Sequence, residues 1–540
     1  MRLIQYLSGC LLLLSLAGCG GKPSVSKSVS NDDQSQIEIV LASISAGEQD
    51  RAYNVDPASS PLKVNIDASG YLDYETACNE SLRGSIQPAS NAVILLLKAL
   101  GPTPEGSELP ATFYKWLGVP ASNATAADFQ TLKVFYGDEF KANPRQFDIT
   151  SQSPLLLDLW KATDNPKQAA WLKQNEAALA ITMEASLRKD YYHPLVAPWI
   201  NGQRQLLFSA PLAVSGKCRE LAYALCQRAT LRAGEGKWNE AWGDVFAAFR
   251  IARLVSRGGT ELELIIGVAT EDIATYTAMT LLSHDEITTD KLQSYRTRYE
   301  QLIPFGTLQP KFLVNICTFQ EIVQSVERYG LGVLSNLENS ISTNTKKQPI
   351  DRLLRATVDW NVPLARFKIA FEQFASIHAL PSHPERVDGW QGFREENPSG
   401  SLSNVAEEIR GRTVEQMRPL VSERMAQIFV GKLMPNTTKA SDGFYRNQQQ
   451  QRNVSLMFAV LQYHVQHSRN PKTLEDLVPN DIASIPRDAF STASVIYQLD
   501  EYRFSLYSVG ANGIDDGFPM DNKNGVSDDF GCRITRKVIK

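Results

Sequence analysis

The sequence has 540 residues, more than a single hydrophobic core usually serves, so we expect more than one core or domain. Hydrophobic residues make up 43% of the chain and charged residues 21%, which is the composition of an ordinary globular protein and excludes a disordered one. The formal net charge of −4 argues against a nucleic-acid partner, because such a partner requires a basic surface.

The first nineteen residues have the layout of an export signal. Arg2 supplies a positive charge, residues 3–16 are mostly apolar, and two small residues precede Cys19. The apolar segment is shorter than the roughly 20 residues that a membrane-spanning helix needs. This layout predicts a signal peptide at residues 1–18 that is removed on export. An ordinary signal peptide, or an uncleaved anchor with a chance cysteine, is the alternative interpretation.

The tetrapeptide Leu16-Ala17-Gly18-Cys19 resembles the lipobox of bacterial lipoproteins. In that family the cysteine is acylated, with fatty acids such as palmitate, and it becomes the N-terminus after cleavage. The resemblance implies lipidation of Cys19 and attachment to a membrane through the lipid. Gly20 follows, where an aspartate would resemble an inner-membrane retention signal. We therefore expect a cell-envelope protein at the outer membrane, facing the periplasm.

A polar segment and then a long helical region follow the signal. Residues 19–36 have almost nothing to bury and predict a flexible tether. Residues 37–440 are predicted to form a mainly helical domain. The signals at residues 37–83 are mixed, with a possible short strand at residues 62–66, and apolar residues recur at helical spacing from residue 91 to about residue 433. Its clearest unit spans residues 218–255, where Gly234-Glu235-Gly236 separates two helical patterns.

The hairpin at residues 218–255 resembles a tetratricopeptide repeat. Small and aromatic residues stand at that family's spacing, at Gly236, Trp238, Ala241 and Ala248. Arg228 and Arg232 replace the usual leucine and tyrosine, and no second copy follows at the family's period, although a solenoid needs several repeats. We therefore expect a helical-hairpin body with one repeat-like unit. Two simply packed helices are the alternative.

Polar segments interrupt the helical pattern. Residues 336–348 are rich in Ser, Asn, Thr and Lys, and residues 381–400 combine Pro, Gly and charge, so both predict exposed loops. Residues 439–450 are polar and end in a glutamine run, which places a domain boundary near residue 440. The next helix is predicted at residues 454–466.

Residues 441–540 predict a small module that contains both helix and strand. Residues 495–498 and 502–507 have the pattern of two short strands. In the order and spacing of its residues the segment resembles the C-terminal half of the major pseudopilin of type II secretion systems, without that family's apolar stem. The matching residues are Pro486, Asp488, Tyr497, Leu506, Tyr507, Ser508, Gly510, Gly513, Asp528 and Asp529. The predicted fold class is mainly α, with a tetratricopeptide-like helical-hairpin body and a small α+β C-terminal module.

The pseudopilin resemblance implies a calcium-binding loop after the second strand. Residues 511–530 offer carboxylate oxygens of the kind that Ca²⁺ binds, although their spacing is not that of an EF-hand. The candidate ligands are Asp515, Asp516, Asp521, Asp528 and Asp529. Asn512 replaces an acidic residue of the family, which removes one charge. A solvated acidic turn without a metal is the alternative.

The sequence contains no recognisable motif of enzyme chemistry, whether HExxH, GxSxG or a phosphate-binding loop. His464 and His467 lie one helical turn apart, and His383 lies in a charged segment, but none of them has an identifiable catalytic partner. Cys218 and Cys226 are separated by about 12 Å on one helix, too far for a disulfide. No catalytic residue is therefore predicted.

Three functional hypotheses follow from these patterns. The first is a lipid-anchored envelope protein that acts as a scaffold or interaction module for other envelope proteins. The second is an envelope enzyme, a hydrolase, whose site is assembled from distant residues. The third is a calcium-binding accessory of a secretion system. The anchor, the tether and the missing motifs favour the first hypothesis over an enzyme.

Overall fold

The computed structural model confirms a mainly α-helical protein with a small C-terminal antiparallel sheet. The part of the chain that the structure describes forms 21 α-helices. The described residues are 31–45, 53–104, 108–121, 128–147, 149–150, 153–200, 202–284, 288–335, 349–398, 400, 402, 405–434, 438–491, 493–500, 503–518 and 528–535.

The elements follow one another in chain order. The helices are α1 Asn31–Ala42, α2 Tyr74–Arg83, α3 Ala92–Leu100, α4 Ala111–Leu117, α5 Leu132–Tyr136, α6 Asp138–Ala142, α7 Pro154–Leu157, α8 Pro166–Gln174, α9 Glu176–Ser186, α10 Ala213–Gly234, α11 Trp238–Ser256, α12 Glu261–His284, α13 Thr289–Glu300, α14 Gln309–Tyr329, α15 Gly332–Ser335, α16 Pro349–Thr357, α17 Asn361–His378, α18 His383–Glu396, α19 Val405–Ile409, α20 Val414–Leu433 and α21 Thr438–His467. The strands are β1 Trp199–Ile200, β2 Gln203–Arg204, β3 Ile496–Leu499, β4 Arg503–Ser508 and β5 Phe530–Thr535.

The buried side chains form two large hydrophobic cores. The first core is built by helices α3–α13, the C-terminal part of α21 and the sheet, and it contains Trp242 and Phe458. The second is built by α1, α2 and α14–α20, and it contains Phe371. Helices α12 and α21 reach both cores, because Leu264 and Phe444 near their N-terminal ends belong to the second. The two cores therefore share two of the longest helices.

Helices α10 and α11 form the predicted hairpin at the centre of the first core. Gly236 turns the chain with a φ of +80°, a backbone conformation that favours glycine. Ala241 and Ala248 are completely buried, which allows the helices to approach closely. Trp242 is also buried and stacks on Tyr295, with 4.1 Å between the ring centroids. Helix α12 packs against both members of the hairpin.

The prediction of an exposed loop at residues 381–400 is wrong, because helix α18 occupies most of that segment. Ser382 and Glu385 form a capping box at its N-terminus, and Pro384 stands in the first turn, where proline is tolerated. Trp390 and Phe393 are buried in the second core. The sequence analysis did not identify these two anchoring side chains, because the content of Pro, Gly and charged residues in this segment is typical of a loop.

Helix α21 begins at Thr438, well before the predicted start at residue 454. Its polar first half is helical, and buried partners accept hydrogen bonds from several of its side-chain amides. Asn447 donates a hydrogen bond to Glu271 at 3.2 Å, and Gln450 donates to the carbonyl oxygen of Gly531 at 3.1 Å. The glutamine-rich segment is therefore an internal part of the structure, although its composition is typical of a linker.

Helix α1 begins at Asn31, inside the segment 19–36 that was predicted as a flexible tether. Ile37 and Leu41 of this helix are buried in the second core.

The predicted loop at residues 336–348 lies outside the described residues. None of the helices that the structure describes is both long and apolar enough to cross a membrane.

Candidate functional site: an acidic loop and a junction cleft

The C-terminal sheet positions the predicted metal-binding loop. Its strands are antiparallel in the order β3-β4-β5, and Leu506 pairs with Tyr497 on one side and with Cys532 on the other. Strands β3 and β4 correspond to the two strands predicted from the sequence. The sequence analysis did not predict β5, which follows the acidic segment. The acidic loop is therefore the connection between β4 and β5.

Asp488 fixes the start of this connection. Its Oδ1 accepts hydrogen bonds from the Ser508 hydroxyl at 2.8 Å and from the Phe490 amide at 2.9 Å. Its Oδ2 accepts one from the Val509 amide at 3.2 Å. These bonds tie the proline-containing loop before β3 to the end of β4, so the acidic loop starts from a rigid support.

Three of the predicted ligands converge in the acidic loop. Asp516, Asp528 and Asp529 each offer a carboxylate oxygen, and these oxygens lie within 4.8 Å of one another. Calcium binds oxygens at about 2.3–2.6 Å, so two ligands of one ion lie at most about 5 Å apart. The spacing and the oxygen chemistry of the three side chains therefore fit a Ca²⁺ ion.

Backbone amides hold two of the three carboxylates in place. Asp529 Oδ2 accepts hydrogen bonds from the amides of Asp516 and Phe518, at 3.0 and 2.9 Å. Asp528 Oδ2 accepts one from the Asn512 amide at 2.9 Å. Asp528 Oδ1 is buried and has no hydrogen-bond partner within the described ranges. This oxygen is therefore available to a cation.

Electrostatics and packing also suit a cation at this place. Burial raises the pKa of Asp529, and the nearby charges of Asp515 and Asp516 raise it further, while two backbone amides lower it. A bound cation would remove this repulsion between carboxylates. Gly510 has a φ of +66°, and a Cβ atom there would lie 2.6 Å from Asp528 Oδ1. The glycine thus makes room for the Asp528 carboxylate.

The remaining predicted site residues lie elsewhere. Asp515 does not join the cluster of three carboxylates; it accepts hydrogen bonds from the Tyr507 hydroxyl at 3.1 Å and from the Gly517 amide at 3.0 Å. Asp521 lies outside the described residues, and so does Cys19.

The histidines noted in the sequence do not gather into a site. His464 Nδ1 lies 2.9 Å from Asn470 Oδ1, and His467 Nδ1 lies 3.0 Å from the Tyr463 carbonyl oxygen. The only possible metal group found among the described residues is the aspartate trio. The cysteines that the structure describes are buried free thiols, namely Cys78, Cys218, Cys226, Cys317 and Cys532.

A second candidate site, which the sequence analysis missed, is a cleft of about 330 Å³ that we call the junction cleft. It lies where the two cores meet, because Leu82 in its wall packs against both of them. Its walls also include Ile86, Leu313, Tyr191, Asp190 and Arg257.

A chain of hydrogen bonds runs behind the wall of the junction cleft. The Tyr191 hydroxyl and Ser215 Oγ are 2.7 Å apart, and Ser215 donates to Glu263 Oε1 at 2.8 Å. Glu263 Oε2 accepts from the Thr260 amide at 3.0 Å. Glu263 is fully buried, and this burial raises the pKa of its carboxyl group. These bonds connect α10, α12 and the segment that carries Tyr191.

Lys311, in the first turn of α14, lies close to this hydrogen-bonded chain. It is fully buried, and its Nζ has no hydrogen-bond partner in the described part of the chain. Burial lowers the pKa of Lys311 to about 8, the charge of Glu263 opposes the change, and the charge of Arg257 adds to it. No local sequence motif marks this group, because its members come from three separate helices and a loop.

Comparisons with known proteins supply no precedent for either site. No protein family, curated protein or solved structure matches this chain. The acidic loop and the junction cleft are therefore defined by their own residues, distances and burial.

Proposed function

We propose that this protein is a lipid-anchored scaffold or interaction module of the cell envelope, held at the outer membrane through Cys19 and facing the periplasm. The sequence of residues 16–19 supports the anchor, and two helical cores that share α12 and α21 provide a large folded body. Its partners would be the membrane, through the lipid, and other envelope proteins.

The acidic loop binds Ca²⁺ in this proposal, and the ion stabilises the C-terminal module. The observation that carries this step is the convergence of Asp516, Asp528 and Asp529 within 4.8 Å. Calcium sites of extracellular modules have dissociation constants on the order of 0.1–1 mM, so a site of this kind would fill only where free calcium is high. A calcium-binding accessory of a secretion system is the alternative function that a calcium site in this loop would favour.

If the acidic loop binds Ca²⁺, millimolar Ca²⁺ should raise the melting temperature of the protein. An ion that binds only the folded state stabilises it by RT ln(1 + [Ca²⁺]/Kd), which is about 1.4 kcal/mol at ten times Kd. Differential scanning fluorimetry in CaCl₂, with MgCl₂ as comparison, measures the shift. The double variant Asp516→Asn with Asp528→Asn should lose the calcium response.

The matched control is Asp388→Asn, which changes an exposed aspartate on α18. It should keep the full calcium response. An equal melting temperature with and without 5 mM Ca²⁺ in the unaltered protein would contradict the calcium step, and so would an undiminished response in the double variant.

A scaffold role predicts that the protein is stably associated with particular envelope proteins. Chemical cross-linking of intact cells, followed by purification and mass spectrometry, should recover the protein joined to the same few envelope proteins in every preparation. The Cys19→Ser variant should lose these neighbours if the anchor brings them together. Recovery of the un-cross-linked chain alone would contradict a scaffold.

A further inference from the structure

The junction cleft is a partly open cleft lined by both apolar and charged side chains. Leu82, Ile86, Leu313 and Val314 supply apolar wall. Its volume of about 330 Å³ lies at the lower end of the range for small-molecule sites, roughly 300–1,000 Å³. Small-molecule sites also occur preferentially at interfaces between domains, and this cleft lies between two hydrophobic cores. The size and position of the cleft therefore suit a small ligand with an apolar part.

Two opposite charges also line the cleft. The Arg257 guanidinium donates to the Lys189 carbonyl oxygen at 3.2 Å, which places it beside the backbone of Asp190. Arg257 and Asp190 nevertheless form no ion pair with each other, and the Asp190 carboxylate has no hydrogen-bond or ion-pair partner among the described residues. The lining of the cleft therefore includes one cationic and one anionic side chain.

The segment that carries Arg257 is held rigidly. Glu263 accepts hydrogen bonds from the amide and the hydroxyl of Thr260, each at 3.0 Å. Gly258 lies so close to the Glu263 carboxyl group that a Cβ atom would overlap it. The buried Glu263 thus fixes the turn between α11 and α12, and with it the start of the Arg257 side chain. The Arg257 side chain itself is exposed, so the fixed turn positions only its backbone end.

From these observations we infer that the junction cleft binds a free α-amino acid with a large apolar side chain. Arg257 pairs with the carboxylate of the ligand, Asp190 pairs with its ammonium group, and the apolar walls receive the side chain. A simple fatty acid would offer no cation to Asp190, and an apolar amine would offer no anion to Arg257. This inference rests neither on the lipid anchor nor on calcium, and it fails or holds independently of the proposed function.

Isothermal titration calorimetry of the purified protein tests the inference, with L-leucine and L-phenylalanine as probes. Saturable binding is expected for at least one of them. N-acetyl-L-leucine lacks the ammonium group and L-leucinamide lacks the carboxylate, so each should bind about tenfold or more weakly than L-leucine, because one charged partner stays unpaired. Glycine, which has no side chain, should not bind.

Two variants test which residue binds each charged group of the ligand. Arg257→Gln should weaken L-leucine binding about tenfold and leave L-leucinamide unchanged. Asp190→Asn should weaken L-leucine binding similarly and leave N-acetyl-L-leucine unchanged. Arg352→Gln, at an exposed arginine on α16, is the matched control and should bind normally. Circular dichroism verifies that each variant is folded.

Three results would overturn the inference. The first is no binding of either amino acid at 10 mM. The second is equal affinity for L-leucine and N-acetyl-L-leucine, which would indicate a ligand recognised by its carboxylate alone, such as a peptide C-terminus. The third is L-leucine binding that neither Arg257→Gln nor Asp190→Asn weakens, which would place the amino acid elsewhere on the protein.

Discussion

Replacement of Arg228 by methionine is expected to lower the free energy of unfolding by about 3–5 kcal/mol. Arg228 is buried in the α10–α11 hairpin, and its guanidinium donates to both carboxylate oxygens of Asp244, at 3.1 and 2.7 Å. Asp244 itself is 0% exposed. Without Arg228 the Asp244 carboxylate would be a buried charge that has lost its principal partner, which is one of the costliest local changes in a folded protein.

The loss of unfolding free energy in Arg228→Met should depend on pH. Burial raises the pKa of Asp244, and the hydrogen bond and the charge of Arg228 are the largest effects that lower it. In Arg228→Met the folded-state pKa of Asp244 therefore rises further above 3.8. A carboxyl group with a raised folded-state pKa binds a proton more readily in the folded state, so the stability of the variant falls as pH rises from about 4. The deficit should be largest at pH 7.

Equilibrium unfolding in urea at pH 4.5 and pH 7 measures this effect. The comparison variant is Arg232→Met, because Arg232 also pairs with Asp244, at 2.8 Å, but is 21% exposed. It should cost less than Arg228→Met. A loss of under 1 kcal/mol in Arg228→Met at pH 7 would show that the buried ion pair does not have the role described.

Replacement of Lys311 by methionine is expected to stabilise the protein at pH 7. The pKa of Lys311 falls from 10.5 to about 8 on folding. At pH 7 the folded state therefore retains a buried ammonium group whose cost corresponds to about 3 kcal/mol, at 1.36 kcal/mol for each pH unit. Glu263 keeps its hydrogen bonds from Ser215 and Thr260 in the variant. Methionine fills a similar volume without the charge.

The sign of the effect follows from proton binding. Between pH 8 and 10.5 the unfolded chain keeps a proton on Lys311 that the folded protein releases, so the stability of the unaltered protein rises with pH in this window. The variant should lack this rise, and its advantage should vanish near pH 10.5. Melting temperatures from pH 7 to 10.5 measure both profiles, and parallel profiles would contradict a buried lysine with a lowered pKa.

The sequence predicted the elements whose signals are local. The prediction of the α10–α11 hairpin was correct because its apolar spacing, its alanines and Gly236 all indicate two helices joined by a tight turn. Helix α18 and the first half of α21 were missed because their stability depends on distant partners. Asn447, for example, is satisfied by Glu271, far away in the chain. A polar composition cannot distinguish a buried amide network from an exposed linker.

In the candidate sites, too, the sequence predicted the features that have a local signal and missed those that depend on distant residues. A carboxylate-rich loop after the second strand was predictable, but which aspartates converge was not. Asp515 and Asp516 are neighbours, yet only Asp516 joins Asp528 and Asp529. The junction cleft had no local signal at all. Arg257 and Asp190 are 67 residues apart in sequence, and only the packing of the two cores brings them to one cleft.

The most direct test of the proposed function is the mass of the N-terminal peptide from protein purified out of the membrane fraction. The lipid anchor predicts a peptide that begins at Cys19 and carries the added mass of a diacylglyceryl group and a further acyl chain. The Cys19→Ser variant should lack this modification and should leave the membrane fraction. An unmodified peptide that begins at Met1, or at another residue after the signal, would contradict the anchor.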